Sequence, residues 1–337
     1  MKVTISTISR LTGVSESTVS RVLSGKAEQF RISKSTIEKV KAEAKRCHYT
    51  PNLLAQSLRT RKTFTVGLTV PRIEDPFFSY IASVIINRLK DNGFHTIIAD
   101  TLDSVTDERE ALRLFQGRDV DGIIAVPVGN DPSEMEIINK NVPIVLIDRY
   151  YSNTSLPFVV SNNFEGGRIG TEHLINKGYR RILSIKGVPA ALSSIERVNG
   201  FEAAIAKHLD LKIEKAAIGD AFSIENGYVS TMQAFKSGKN YDAIFTYSST
   251  ILLGTLRALR ELGYKVPEDV ALLSFDGYYS FDYMKPAITR IEQPLFEIGS
   301  TAVDTLLKII EARLKNLPDP KPLQKFLNPE LVVRESC

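Results

Sequence analysis

From Thr65 onward the chain is written as an alternation that few folds satisfy: a short, almost wholly apolar run, then a segment with helical spacing, then another apolar run. The first series reads TVGLTV, PFFSYIASVIINRLKDNG, FHTIIAD, TDEREALRLFQGR, DGIIAV, DPSEMEIINK and VPIVLID. A second runs from FVVS through EGGRIGTEHLINKGY, RILSI, a helix over 196–209, a helix after Ile224, DAIFTY, a helix after Ser249 and DVALLSFD. Strands this apolar have no polar face to give to water, so they predict parallel sheets covered by helices on both sides. Two series predict two such lobes. A final helix near 294–315 is expected to return to the first lobe, and QKFLNPELVVRES to end on the second. The boundaries implied are 64–162 with 291–322 for lobe one, and 163–290 with 323–337 for lobe two.

Ligands of doubly wound sheets bind beyond the carboxyl ends of the strands. At those ends this sequence places Asp75-Pro76-Phe77-Phe78-Ser79, Asp148-Arg149 and Phe275-Asp276; Arg197 opens the helical RVNGFEAAI, and Gln293 closes ITRIEQ. Each has a plainer reading. The two phenylalanines suit a core equally well, and aspartate favours the exit from a strand wherever it occurs.

The first 63 residues are different in kind. They carry 13 Lys and Arg against 4 Asp and Glu, whereas the remainder carries 30 against 35. A basic head on a mildly acidic body predicts that the head meets a polyanion, although a solvated basic tail has the same charge. The local pattern separates the two. Ile8 and Leu11 lie three apart before Gly13, which can end a helix in the left-handed conformation. Ser15 is then an N-cap with Val14 and Val19 as its hydrophobic staple, and Val19, Val22 and Leu23 face inward. Ser33 repeats the device between Ile32 and Ile37, with Val40 and Ala44 continuing the stripe. Three short helices with a glycine turn between the first two describe a helix-turn-helix, whose second helix enters the DNA major groove. The polar side of that helix, Glu16, Ser17, Ser20 and Arg21, offers an acceptor for a cytosine amino group, two hydroxyls, and a guanidinium for guanine or phosphate. A small trihelical domain with a solvated face is the alternative.

Further on, TPNLLAQSLR has proline at a first helical position and an Ala/Leu stripe, but is too short to be a stable helix alone. With that segment the pattern becomes specific. VTISTISRLTGVSESTVSRVL, followed by YTPNLLAQSLRTRKTFTVGLTVP, resembles the lactose-repressor (LacI) family of bacterial transcriptional regulators, and the resemblance covers nearly the whole chain.

The resemblance implies an all-α helix-turn-helix head over 1–48, a hinge helix and linker over 49–63, and a periplasmic-binding-protein-like α/β body over 64–337 with two doubly wound parallel-sheet lobes. It implies a cytoplasmic homodimer on operator DNA, controlled by a small-molecule effector, a sugar or sugar derivative, with no cofactor or metal. DNA contacts fall on Thr4, Ser15, Glu16, Ser17, Thr18, Ser20 and Arg21, and on the hinge residues Asn52, Ala55 and Leu58, the leucine wedging into a minor-groove step. Effector contacts fall on Asp75, Phe77, Phe78, Asp148, Arg197, Phe222, Tyr247, Asp276 and Gln293. Three departures stand out. Ser9 and Thr12 occupy positions where relatives often have alanine, KAEQFR lengthens the turn before the third helix, and Tyr247-Ser248 replaces a common Asn-Asp, presenting an aromatic face where an amide is usual. A purine-type corepressor is the alternative effector. The tetramerising relatives carry an extra C-terminal heptad helix, so a dimer is expected.

Rival classes fit less well. EGGRIG matches neither dinucleotide nor P-loop spacing, the four histidines His48, His95, His173 and His208 show no metal spacing, and no nucleophile has an evident base. A transport solute-binding protein would fit the body alone. It would not carry the basic head, and MKVTISTISR lacks the apolar core of a secretory signal. Cys47 and Cys337 are too few for a disulfide framework, which suits a reducing compartment. No apolar run approaches the roughly 18 residues that span a bilayer.

Overall fold

The computed structural model describes residues 3–25, 27–49, 62–277 and 279–337, and it divides into a head ending at Thr63 and a body beginning at Phe64. In the head, α1 (Ile5–Thr12), α2 (Glu16–Leu23) and α3 (Lys34–Arg46) each start on a hydroxyl. The Thr4, Ser15 and Ser33 side chains accept from the amides of Thr7, Thr18 and Thr36, satisfying donors that a helix start leaves open. Gly13, at φ 67°, ends α1 in the left-handed region that glycine adopts without strain.

Ile8, Val19, Val22, Ala27, Val40 and Ala44 form the head core, with Val14, Leu23, Ile32, Ile37 and Tyr49 packed around it. The expected inward position Leu11 is instead 47% exposed, and Thr12 takes its place at 3%. Threonine is tolerated there because its hydroxyl donates to Ile8 O at 2.7 Å. Ser9 is satisfied likewise, donating to Val14 O at 2.6 Å, so neither departure from alanine leaves a buried polar group unmet. Tyr49 belongs with this core, one residue beyond the expected end of the head.

The body holds two six-stranded sheets. The first contains β1 (Thr65–Val70), β2 (His95–Asp100), β3 (Gly122–Ala125), β4 (Ile144–Ile147), β5 (Phe158–Ser161) and β11 (Gln324–Leu327), in the order β11-β5-β4-β3-β1-β2, all parallel. The second contains β6 (Arg181–Ile185), β7 (Glu214–Ile218), β8 (Ala243–Thr246), β9 (Ala271–Phe275), β10 (Thr289–Glu292) and β12 (Glu330–Val332), in the order β12-β10-β9-β8-β6-β7. Only β12 runs antiparallel. Central strands such as β3, β4, β8 and β9 are wholly buried, as double coverage requires, whereas β2, β7 and β11 at the edges are not.

The expected lobe boundaries need two corrections. Strand β10 pairs with β9, so lobe two runs to Glu292 rather than 290. The segment QKFL, assigned from sequence to lobe two, pairs as β11 with β5 in lobe one, and only ELV joins lobe two. The strands formed by QKFL and ELV are short edge pieces whose partners are set by packing. The chain therefore crosses between lobes near 162, 293 and 328. Asn162 ties two crossings together: its amide donates to Leu327 O at 2.7 Å and its Nδ2 to Asn328 Oδ1 at 3.0 Å. Among the described residues no helix is long and apolar enough to cross a membrane.

Candidate functional site

Between the lobes, α4 (Pro76–Asp91) starts at the end of β1, and α8 (Leu192–Ala206) follows β6. Arg197 lies in the second turn of α8 rather than opening it, and is 3% exposed. Its Nε donates to Asn163 Oδ1 at 2.9 Å, its Nη1 donates to Tyr247 O at 2.5 Å and lies 3.8 Å from Asp276 Oδ2, and its guanidinium carbon sits 3.7 Å from the centroid of the Phe275 ring. A buried cation this constrained is a fixed donor platform.

Two glycines make that placement possible. Helix α7 (Asn163–Asn176) lies so close to α8 that a Cβ on Gly167 would stand 2.2 Å from Arg197 O, and one on Gly200 would stand 2.1 Å from Phe164 O. The EGGRIG glycines thus serve close packing, Gly167 against α8 and Gly166 and Gly170 against Phe275 and Phe245 of the sheet.

Carboxylates meet Arg197 from both lobes. Asp148 leaves β4 at φ 62° and Asp276 leaves β9 at φ 63°, each a non-glycine residue in the left-handed region and each 8% exposed. Strain of this kind persists at sites that need a side chain re-aimed. Burial pushes the Asp276 carboxyl up to about 6, with Arg197 and the Gln293 amide pulling the other way. Burial raises Asp148 as well, opposed by Arg149 and Arg197. Gln293 Nε2 donates to Asp276 Oδ1 at 2.5 Å, while its own Oε1 is buried with no hydrogen-bond partner among the described residues, in a residue only 6% exposed.

Asp75 caps α4, accepting from the Phe77 amide at 2.9 Å. Phe77 and Phe78 are 7% and 9% exposed and pack edge to face, ring centroids 5.0 Å apart. Phe222 arrives from lobe two, 5.9 Å from the Arg197 guanidinium. Asp75, Phe77, Phe78, Asp148, Arg197, Phe222 and Asp276 thus share one cleft, whose free space is only about 50 Å3. Small-molecule sites are typically roughly 300 Å3 or more. Phe77, Asp276 and Gln293 also border a roomier cavity of about 740 Å3 bounded by Tyr80, Tyr279 and Phe296.

Tyr247 is a correction. Its side chain is fully buried and offers no face to the cleft: the ring packs on Phe245 with centroids 5.1 Å apart, and the hydroxyl donates to Arg197 O at 3.3 Å. Strand alternation explains it, since Ala243, Phe245 and Tyr247 point into the same core. Only its backbone carbonyl serves the site. Residues that the sequence reading missed include Asn163, which orients Arg197, Asp103, which accepts from Arg149 Nη1 at 2.7 Å, and Ser193, which lines the cleft. Asn163 is the residue after the α7 cap, a position that carries no periodic signal.

On the head, Glu16, Ser17 and Arg21 are exposed along one side of α2, and Ser20 is half-buried beside them. Thr4, Ser15 and Thr18 are engaged in caps: Ser15 Oγ lies 2.9 Å from Thr18 Oγ1 and 3.1 Å from Ser17 Oγ, and Thr4 Oγ1 lies 3.1 Å from Thr7 Oγ1. The Arg21 guanidinium carbon sits 4.0 Å from the centroid of the Phe30 ring. Asn52, Ala55 and Leu58 lie outside the described residues.

Known proteins match both parts. The family model for bacterial regulatory proteins of the lacI family matches residues 3–52, and that for a periplasmic binding protein-like domain matches residues 171–337. The NTD biosynthesis operon regulator of Bacillus subtilis is 30% identical over 334 residues, covering 99% of each chain. The ribose operon repressor of Halalkalibacterium halodurans is 29% identical over 336 residues, covering 99% of this chain and 96% of that one. Among solved structures, the lac repressor dimer bound to operator and an anti-inducer superposes with a TM-score of 0.86 at 25% identity, covering 100% of this chain and 99% of that one. A helix-turn-helix head, two crossed-over parallel-sheet lobes and matches at this coverage lead to one assignment: the chain belongs to the lacI family of bacterial regulatory proteins.

Proposed function

We propose that this protein is a cytoplasmic, homodimeric repressor whose grip on operator DNA is set by a sugar or sugar derivative bound between the lobes, and that it performs no catalysis. The observation that carries the reading is Arg197, buried in a cleft lined by the strand-end carboxylates Asp148 and Asp276 of the two lobes, with Gln293 held on Asp276. Vicinal hydroxyls donate to Asp148 and Asp276 and accept from the guanidinium, so a polyol fills this set in a way few other small molecules do. Asp75 and Phe222 complete the polar and aromatic rim. A purine corepressor needs an open aromatic face. Phe77 and Phe78 bury their rings against each other, which leaves a purine only rim aromatics such as Phe222 to stack on.

On the head, Glu16, Ser17, Ser20 and Arg21 read base edges, with Ser15, Thr18 and Thr4 at the flanking phosphates. Asn52, Ala55 and Leu58 form the hinge, with Leu58 as the minor-groove wedge. The relatives named for operons, ribose among them, support both halves of the reading. Selection of bound sites from a random duplex pool by the purified protein, at two salt concentrations, tests it. A two-fold symmetric consensus, weakened by salt and lost in Leu58→Ala, is expected. Folded protein that enriches no sequence with or without sugars and purines present would overturn it.

A further inference from the structure

Phe30 is an apolar ring held in water. It is 48% exposed in the long turn after α2, while its neighbours Ala27 and Ile32 are packed into the head core. The turn is a built structure. Arg31 N donates to Glu28 O at 3.0 Å, Ile32 N donates to Ala27 O at 3.1 Å, and Arg31 adopts φ 51° to close it. With both ends pinned, Phe30 stands out beside the polar side of α2, where its ring meets the Arg21 guanidinium 4.0 Å from centroid to carbon.

We infer that Phe30 is a positioning residue for Arg21, and through it a determinant of base discrimination. The inference rests on the reading that α2 faces DNA. A free arginine on a helix surface samples many rotamers, and the order lost on docking weakens the contact it makes. A carboxylate partner would order it too, but would occupy N–H donors and bring negative charge towards phosphate. An aromatic face does neither. It attracts the cation through the ring quadrupole and leaves the five N–H donors for a base edge. The turn pinned at Ala27, Glu28, Arg31 and Ile32 is what carries the ring to this place.

The test is site selection from a random duplex pool with the full-length protein, followed by affinity for the selected consensus, for wild type, Phe30→Leu, Phe30→Tyr, Arg21→Ala and Arg21→Ala with Phe30→Leu. Phe30→Leu keeps an apolar side chain without the π face. It is expected to weaken binding about two- to fivefold, the range of an exposed cation–π contact, and to flatten preference at the base pair that Arg21→Ala also flattens, leaving other positions unchanged. Phe30→Tyr restores both, and Phe30→Leu adds nothing once Arg21 is alanine. Wild-type affinity and base profile in Phe30→Leu, with Arg21→Ala altered, would overturn the positioning role alone. An equal loss from Phe30→Leu with and without Arg21 would overturn it in favour of direct contact between ring and DNA. An unchanged profile in Arg21→Ala would overturn the base-reading role of Arg21 and the inference together.

Discussion

The Tyr150 hydroxyl donates to Glu196 Oε1 at 2.5 Å, and the two residues belong to opposite lobes, Tyr150 just beyond β4 and Glu196 on α8 next to Arg197. Burial, reinforced by the Glu196 carboxylate, holds the phenol well above its ordinary range, so it stays a donor throughout physiological pH. The bond joins the lobes next to Arg197, where the free space is only about 50 Å3, so an effector that reaches the guanidinium must part the two lobes there. Tyr150→Phe is therefore expected to tighten effector binding roughly threefold to tenfold by removing a bond that opening must break. Calorimetric titration of the variant checks this, and weaker binding would show that the latch belongs to the bound state.

Arg197 is expected to be irreplaceable. Lysine has a single charge point in place of a fork and reaches neither Asn163 nor the Tyr247 carbonyl in the same geometry. Arg197→Lys should lose effector binding about 100-fold with operator binding retained. Arg197→Ala should also cost about 3 kcal/mol of stability, because Asp148 and Asp276 lose the charge that compensates them. Urea unfolding beside effector titration separates the two effects.

Gly167→Ala and Gly200→Ala test the support beneath that arginine. Each adds a methyl group within 2.2 Å of a backbone carbonyl oxygen, which rigid helices cannot relieve cheaply. A loss of about 2–3 kcal/mol is expected, with a fall in effector affinity as α8 is pushed outward. Unfolding midpoints at the wild-type value would contradict the close-packing account.

The pH dependence follows from Asp276. Its folded-state carboxyl is raised to about 6 from 3.8, so between those values the folded protein keeps a proton that the unfolded chain has released. Its contribution to stability therefore falls as pH rises through that window and is fully adverse above about 6. Sugar hydroxyls donate to the carboxylate and favour its ionised form. Effector affinity should hold above pH 6 and decline towards pH 5, with proton release on binding near pH 6, and Asp276→Asn should flatten this dependence. Affinity that rises on acidification would show that the carboxyl binds effector protonated.

Much of this was legible in the sequence for identifiable reasons. Apolar strands buried on both faces cannot be written any other way, so β1, β3, β4, β8 and β9 announced themselves, and the Ser15 and Ser33 caps are local chemistry. Asp148 and Asp276 stood at strand ends, where a ligand site is expected. What failed was settled at longer range. The segments QKFL and ELV are both short edge strands, and their separation between lobes depends on partners that are distant in the chain. Alternation along β8 would have placed Tyr247 in the core had it been carried one residue past the strand. Asn163 and Phe30 act through single contacts that no spacing encodes.

The central claim, that the cleft around Arg197 controls the head, is tested most directly by measuring operator affinity across a panel of pentoses, hexoses and purines for wild type and Arg197→Lys. Coupling between two sites is reciprocal and typically amounts to about 5- to 150-fold. The account predicts that at least one sugar shifts wild-type operator affinity by about tenfold or more, in either direction, and leaves Arg197→Lys unmoved. A purine as the active ligand would overturn the sugar assignment. An Arg197→Lys protein that responds as wild type does, or a wild-type protein that responds to nothing in the panel, would contradict control through this cleft.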